Sequence, residues 1–200
     1  MEYTLLGRIG LRVSVVGLGC GGPSRLGQRQ GKTKKESVAL IRRALELGVN
    51  FFDTAEVYDT EGIIGEGIRE VPRERVVIST KKTIHAPSRD ADPEAEIRKG
   101  IEESLRQLKT DYVDVYHLHG VEPREYSYVL NECVPVLLNL REEGKIRCLG
   151  ITEGFVPDPK HETLPQALGD DCWDVVMVGF NLLNQSARSR VLTKTRAKTI

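Results

Sequence analysis

Short apolar runs alternate along the chain with longer stretches in which apolar residues recur at helical spacing. The runs are Val15-Val16-Gly17-Leu18, the stretch from Gly48 to Asp53, Val76-Val77-Ile78-Ser79-Thr80, Tyr112 to Leu118, Ile146 to Ile151, and Val175 to Val178. Nearly continuous apolar character over so short a length predicts buried strands. Between them, Thr33-Lys34-Lys35-Glu36 has the form of a capping box, and Val38, Ile41, Ala44 and Leu45 form one face until Gly48 stops the helix. Asp92-Pro93 opens a second helix with an apolar stripe of Ile97, Ile101, Leu105 and Leu108. A third, from about Asn131, buries Val134, Leu137 and Leu138 and ends at Gly144. Ahead of the first run, Tyr3 to Ser14 with Gly7 and Gly10 predicts a hairpin that plugs or covers something.

Strand-helix units of roughly 30 residues predict a parallel sheet covered by helices. An open doubly wound sheet and a (β/α) barrel both fit that period. The barrel is preferred because the candidate polar residues follow successive strands, and barrels build their sites from the C-terminal ends of several strands.

Composition narrows the classes. The 200 residues are 40% hydrophobic and 29% charged, with zero formal net charge. That balance supports a packed core and gives no footprint for nucleic acid or an anionic membrane. There is no N-terminal signal-like apolar segment and no apolar run of about 18 residues, so the cytoplasm is the expected compartment. Cys20, Cys133, Cys148 and Cys172 form no C-x-x-C pair. They read as reduced, mostly buried thiols, with a reactive role for Cys20 left open.

The candidate chemistry sits where apolar runs end. Asp53 closes one run, with Tyr58 five residues on; Lys81 follows another, and His119 a third. A carboxylate at a buried strand end needs a cation, and Lys81, leaving the sheet at the same end, is the best placed. Plainer readings remain: Asp53 as a helix cap, Tyr58 as a packing phenol, Lys82 in place of Lys81, and His117 with His119 as a metal pair. The turn Gly19, Gly21, Gly22 is glycine-rich without the spacing of a dinucleotide motif. His85 and His161 lie in loop-like or polar stretches and receive no role.

In order along the chain, Leu6-Gly7-Arg8 to Gly21, Asn50-Phe51-Phe52-Asp53-Thr54-Ala55 with Tyr58, Glu61-Ile64-Gly65, Ser79-Thr80-Lys81, Asp114 to His119, Gly144 to Arg147 and Asn181 to Asn184 together resemble the aldo-keto reductases. The resemblance implies an eight-stranded (β/α)8 TIM barrel, of which residues 1–200 supply a partial domain: a hairpin over 1–14 and six strand-helix units over 15–200. It implies NADPH-dependent, or NADH-dependent, reduction of a small aldehyde or ketone. Tyr58 is then the proton donor, Asp53 and Lys81 its supporting pair, and His119 the group that orients the carbonyl. Cofactor contacts fall to Asp53, Thr152, Gly21 and Gly22. Lys81 is expected to lower the phenol's pKa.

Four residues depart from the family pattern. Thr152-Glu153 stands where Ser-Asn is common, Met177 where Gln is common, and Gly120 where a bulky residue often follows the histidine. Such a barrel takes about 250 residues, so the chain is expected to be a fragment of a longer reductase, with no choice of nicotinamide phosphate over its dephospho form. A cofactor-sensing barrel with little turnover, an inactive fragment, and a Schiff-base lyase using Lys81 are the alternatives.

Overall fold

In the computed structural model, which describes residues 1–84, 92–154 and 156–200, an antiparallel hairpin precedes an alternation of parallel strands and helices. The hairpin is β1 (Tyr3–Leu6) and β2 (Leu11–Ser14). Then come β3 (Leu18–Gly19), α1 (Lys34–Glu46), β4 (Phe51–Asp53), α2 (Glu61–Gly67), β5 (Val77–Thr83), α3 (Pro93–Leu108) and β6 (Val113–Val121). The series continues through α4 (Tyr126–Tyr128), α5 (Val134–Glu142), β7 (Ile146–Glu153), α6 (Thr163–Ala167), β8 (Val175–Met177) and α7 (Thr193–Lys198).

Strands β3 to β8 form one six-stranded sheet in sequence order, each pair parallel. A doubly wound sheet reverses its strand order at a switch point. No reversal occurs here, so the fold is the half-barrel of a (β/α) type, with β3 and β8 as its edges.

Local chemistry explains the helix ends. The Glu36 N–H donates to Thr33 Oγ1 at 3.3 Å, while Glu36 Oε2 accepts from the Thr33 N–H at 2.9 Å. Asp92 accepts from the Ala95 N–H at 3.1 Å, and Pro93 occupies the first turn of α3. Before α5, the backbone passes through α4 and a wide turn over Val129–Cys133. Pro135 stands in the first turn of α5 and has no N–H to give, so the helix reaches back well before Asn131 by changing its bonding register.

Val15 and Val16 are not in the sheet. They are 53% and 58% exposed, because the Val15 N–H donates to the Glu2 carbonyl and prolongs the hairpin. The strand there is only Leu18–Gly19. In the other direction, β5, β6 and β7 outrun their apolar stretches to Thr83, Val121 and Glu153. Those extensions carry polar residues beyond the apolar runs.

Alternation sorts the sheet into two faces. Phe52, Ile78, Tyr116, Leu118, Leu149 and Ile151 pack with the helices in the main core. Val77, Val115, Cys148 and Val175 face inward at the base, where Leu11 and Val13 of the hairpin cover them. Arg8 ties the hairpin turn to the start of β8, donating to Asp171 at 2.6 Å and Asp174 at 3.4 Å. The hairpin is a plug, and the opposite end of the sheet is left for the polar residues.

Cys20, Cys133 and Cys148 are buried free thiols, and Cys172 is partly buried. Among the described residues, no helix is long and apolar enough to cross a membrane. His85 lies outside the described residues.

Candidate active site

Register places the candidate side chains on one inner face. Asp53 is level with Ser79, Lys81 with His117, Thr83 with His119, and Thr152 with Met177. Lys82, one residue on, turns to the helix side and pairs with Glu56 at 3.0 Å and Glu96 at 3.5 Å. The choice between the two lysines is therefore made by strand parity.

The Lys81 side chain is 1% exposed. Its Nζ donates to both Asp53 oxygens at 2.7 Å and to the Thr54 carbonyl at 2.6 Å. An ammonium has three N–H bonds, so all are engaged and no lone pair is aimed at a substrate. That arrangement opposes a Schiff-base role. Ser79 Oγ adds a donor to Asp53 at 2.9 Å. Burial draws the Lys81 pKa down, and the Asp53 charge opposes it.

Tyr58 ends the short turn Glu56–Tyr58 that follows β4. Its hydroxyl is 3.3 Å from His119 Nε2, with the rings edge to face at 5.7 Å between centres. The Lys81 ammonium is 5.3 Å from the phenol ring centre. The expected lowering of the phenol's pKa by Lys81 does not occur: burial first, then the Asp53 charge, raise it, with Arg25 opposing. Lys81 is bonded to both Asp53 oxygens at 2.7 Å, so the phenol meets a pair and not a lone cation.

Burial and the charge of Lys81 lower the His119 pKa to about 4, against Asp53. His117 is lowered to about 3, burial leading, and its Nδ1 has no hydrogen-bond partner. Its ring lies over Gly150, where a Cβ would overlap it. Both imidazoles are thus neutral at neutral pH. Among the described residues, no group of three or more His, Cys, Asp and Glu side chains is arranged to hold a metal. The Cys20 thiol, pushed up to about 12 by burial, stays protonated. A reactive thiolate there is unsupported.

Gly21 is explained by Tyr58: a Cβ at Gly21 would overlap the phenol ring. Gly22, at φ +68°, has open space where a Cβ would stand. Strand β6 bulges after Leu118, with Gly120 at φ +69°. The Gly120 N–H, displaced from the ladder, donates to Thr152 Oγ1 at 2.7 Å. Bulges of this kind re-aim neighbouring side chains, and here the neighbour is His119.

Sequence reasoning missed His161. It is fully buried, at φ +54°, and its Nδ1 is 2.5 Å from Glu153 Oε1, which also accepts from the Gly179 N–H at 3.3 Å. Burial raises the Glu153 pKa, His161 opposing. One Glu153 oxygen is therefore taken up by His161 and the Gly179 N–H, while Oε2 is buried without a partner. A histidine isolated among polar loop residues carries no signal of such a partner.

A sequence model of the aldo/keto reductase family matches residues 17–200. An L-galactose dehydrogenase of Arabidopsis thaliana is 39% identical over 158 residues, covering 76% of this chain and 48% of that protein. A solved thermostable aldo-keto reductase, in complex with the inhibitor epalrestat, superposes with a TM-score of 0.79 at 25% identity, covering 100% of this chain and 70% of that one. An aldo/keto reductase from Klebsiella pneumoniae, in complex with NADP and acetate, gives a TM-score of 0.76 at 26% identity, over 100% of this chain and 66% of that one. The chain spans about half the length of the curated relatives it matches.

Proposed function

The chain belongs to the aldo/keto reductase family, and from that premise we propose that it supplies the catalytic wall of an NAD(P)H-dependent reductase converting a small aldehyde or ketone to its alcohol. In this reading residues 1–14 are the floor of one barrel unit and 15–200 its strand-helix wall. The observation that carries it is the meeting of Asp53, Lys81, Tyr58 and His119 at the C-terminal ends of β4, β5 and β6.

The reduced nicotinamide supplies the hydride when bound. The residues present fit it through the Thr152 hydroxyl, 3% exposed on the inner face, and the open backbone at Gly22. Asp53 would keep its place beside the cofactor while holding Lys81. NADPH is the expected form, with NADH as the other candidate, since the Klebsiella pneumoniae relative is in complex with NADP.

Hydride arrival at a carbonyl carbon builds negative charge on the oxygen, which must be neutralised as it forms. Tyr58 gives its proton there. Its raised pKa keeps the hydroxyl protonated through neutrality, so the donor is always loaded. His119, neutral and in contact with the same hydroxyl, directs Nε2 toward the carbonyl oxygen. Asp53 and Lys81 hold the wall on which both stand. Proton donation of this kind contributes roughly 100- to 10,000-fold.

The test follows nicotinamide oxidation with a panel of aldehydes and ketones, and cofactor binding by fluorescence, for the wild type and Tyr58→Phe. Turnover is expected to fall by about 100-fold or more, with cofactor affinity retained. Equal rates would overturn the assignment, and borohydride trapping of substrate on Lys81 would replace it with an imine mechanism.

A further inference from the structure

We propose that Thr83 is a positioning residue, whose hydroxyl decides which nitrogen of His119 carries hydrogen and whose backbone holds the turn bearing Tyr58. The proposal rests on the carbonyl-reduction reading.

Thr83 is the last residue of β5 and lies beside His119 on the inner face. Its Oγ1 is 3.4 Å from His119 Nδ1, and that hydroxyl makes no other hydrogen bond among the described residues. Its N–H donates to Glu56 Oε1 at 3.2 Å. Glu56 belongs to the same short turn as Tyr58, and its other oxygen pairs with Lys82 at 3.0 Å. One residue therefore touches both the imidazole and the turn that brings the phenol to it.

A neutral imidazole carries a single N–H. Along Thr83, His119 and Tyr58 the hydrogens can point all one way or all the other. If they point toward Thr83, Tyr58 donates to Nε2, and its proton is directed into the imidazole instead of the substrate. If they point toward Tyr58, the Thr83 hydroxyl donates to Nδ1, and Nε2–H is free to meet a carbonyl oxygen together with the phenol O–H. Only the second arrangement serves reduction. The bond made by one ring nitrogen sets the state of the other; a hydroxyl can give or accept, and in the proposed arrangement Thr83 gives, which leaves the hydrogen on Nε2. Burial and Lys81 keep the ring neutral, so the tautomer is the remaining variable.

Imidazole nitrogen NMR on the wild type, Thr83→Val and Thr83→Ser at neutral pH tests this. The wild type should show His119 with hydrogen on Nε2 and a bare Nδ1; Thr83→Val should show a mixture of tautomers, and Thr83→Ser the wild-type state. In turnover, Thr83→Val should lower kcat by about tenfold or more with little change in KM, by analogy with the loss when the group orienting a metal-ligating histidine is removed, and Thr83→Ser should restore it. Hydrogen on Nδ1 in the wild type, or unchanged His119 nitrogen shifts in Thr83→Val, would overturn the proposal. Should the wild type reduce no carbonyl, the reductase reading fails while the nitrogen spectra still decide what Thr83 does.

Discussion

At the scale of single residues, the pair Asp53 and Lys81 decides how the site titrates. Because the lysine directs every N–H at Asp53 and Thr54, it leaves the phenol to burial and to the Asp53 charge, both of which raise its pKa. Reduction consumes the protonated phenol, so kcat should hold through neutrality and fall only above the ordinary phenol value of 10. On the acid side, His119 gains a proton near 4, and the rate should fall there. A kcat profile against pH checks both limbs; a decline setting in between neutrality and 10 would mean that Lys81 does lower the phenol. The convergence of Asp53, Lys81, Tyr58 and His119 was legible because each follows or closes an apolar run. Glu56, Thr83 and His161 were not, since polar residues near turns look alike until a distant partner singles one out.

At the scale of elements, buried carboxylates bind the strands together. Asp114 is 1% exposed on the helix side of β6, yet it accepts from the Ile78 N–H of β5 at 2.9 Å, from Arg73 at 2.7 Å and from Arg147 of β7 at 2.9 Å. Asp174 repeats the device, accepting from the Leu149 N–H at 2.9 Å. Removing Asp114 leaves the buried Ile78 N–H unpaired and takes the carboxylate from two guanidiniums. Asp114→Ala should therefore cost about 3–5 kcal/mol, the range for breaking a buried ion pair, read as a lower denaturant midpoint; a shift of a few tenths would show that water replaces the carboxylate. In the sequence, Asp114 is simply one polar residue within an apolar run. The strands outrun their apolar stretches for a related reason: apolar content marks where a strand is buried, whereas the hydrogen-bond ladder continues into Thr83, Val121 and Glu153.

At the scale of the whole molecule, the hairpin closes one end of the half-barrel and so assigns the chemistry to the other. Leu11 and Val13, 6% and 3% exposed, fill the base between Val77, Val115, Cys148 and Val175. Leu11→Ala should destabilise by roughly 2–5 kcal/mol, the usual cost of such a truncation, and lower the thermal midpoint without altering cofactor affinity, since the site is at the far end. An unchanged midpoint would show that the hairpin is laid on the sheet and does not plug it. What the sequence determined by itself was the order of the six parallel strands, the helices α1, α3 and α5 with the caps of the first two, the hairpin, and which residue types stand at strand ends, because these depend on periodicity and on contacts a few residues apart. Tertiary structure alone decided that the sheet does not reverse, that Lys81 and not Lys82 faces Asp53, that the phenol's pKa rises, and that Thr83 and Glu153 find His119 and His161. Each of those depends on which groups far apart in the chain end up within a few ångströms of one another, and pairing of that kind is set by register and burial across the sheet.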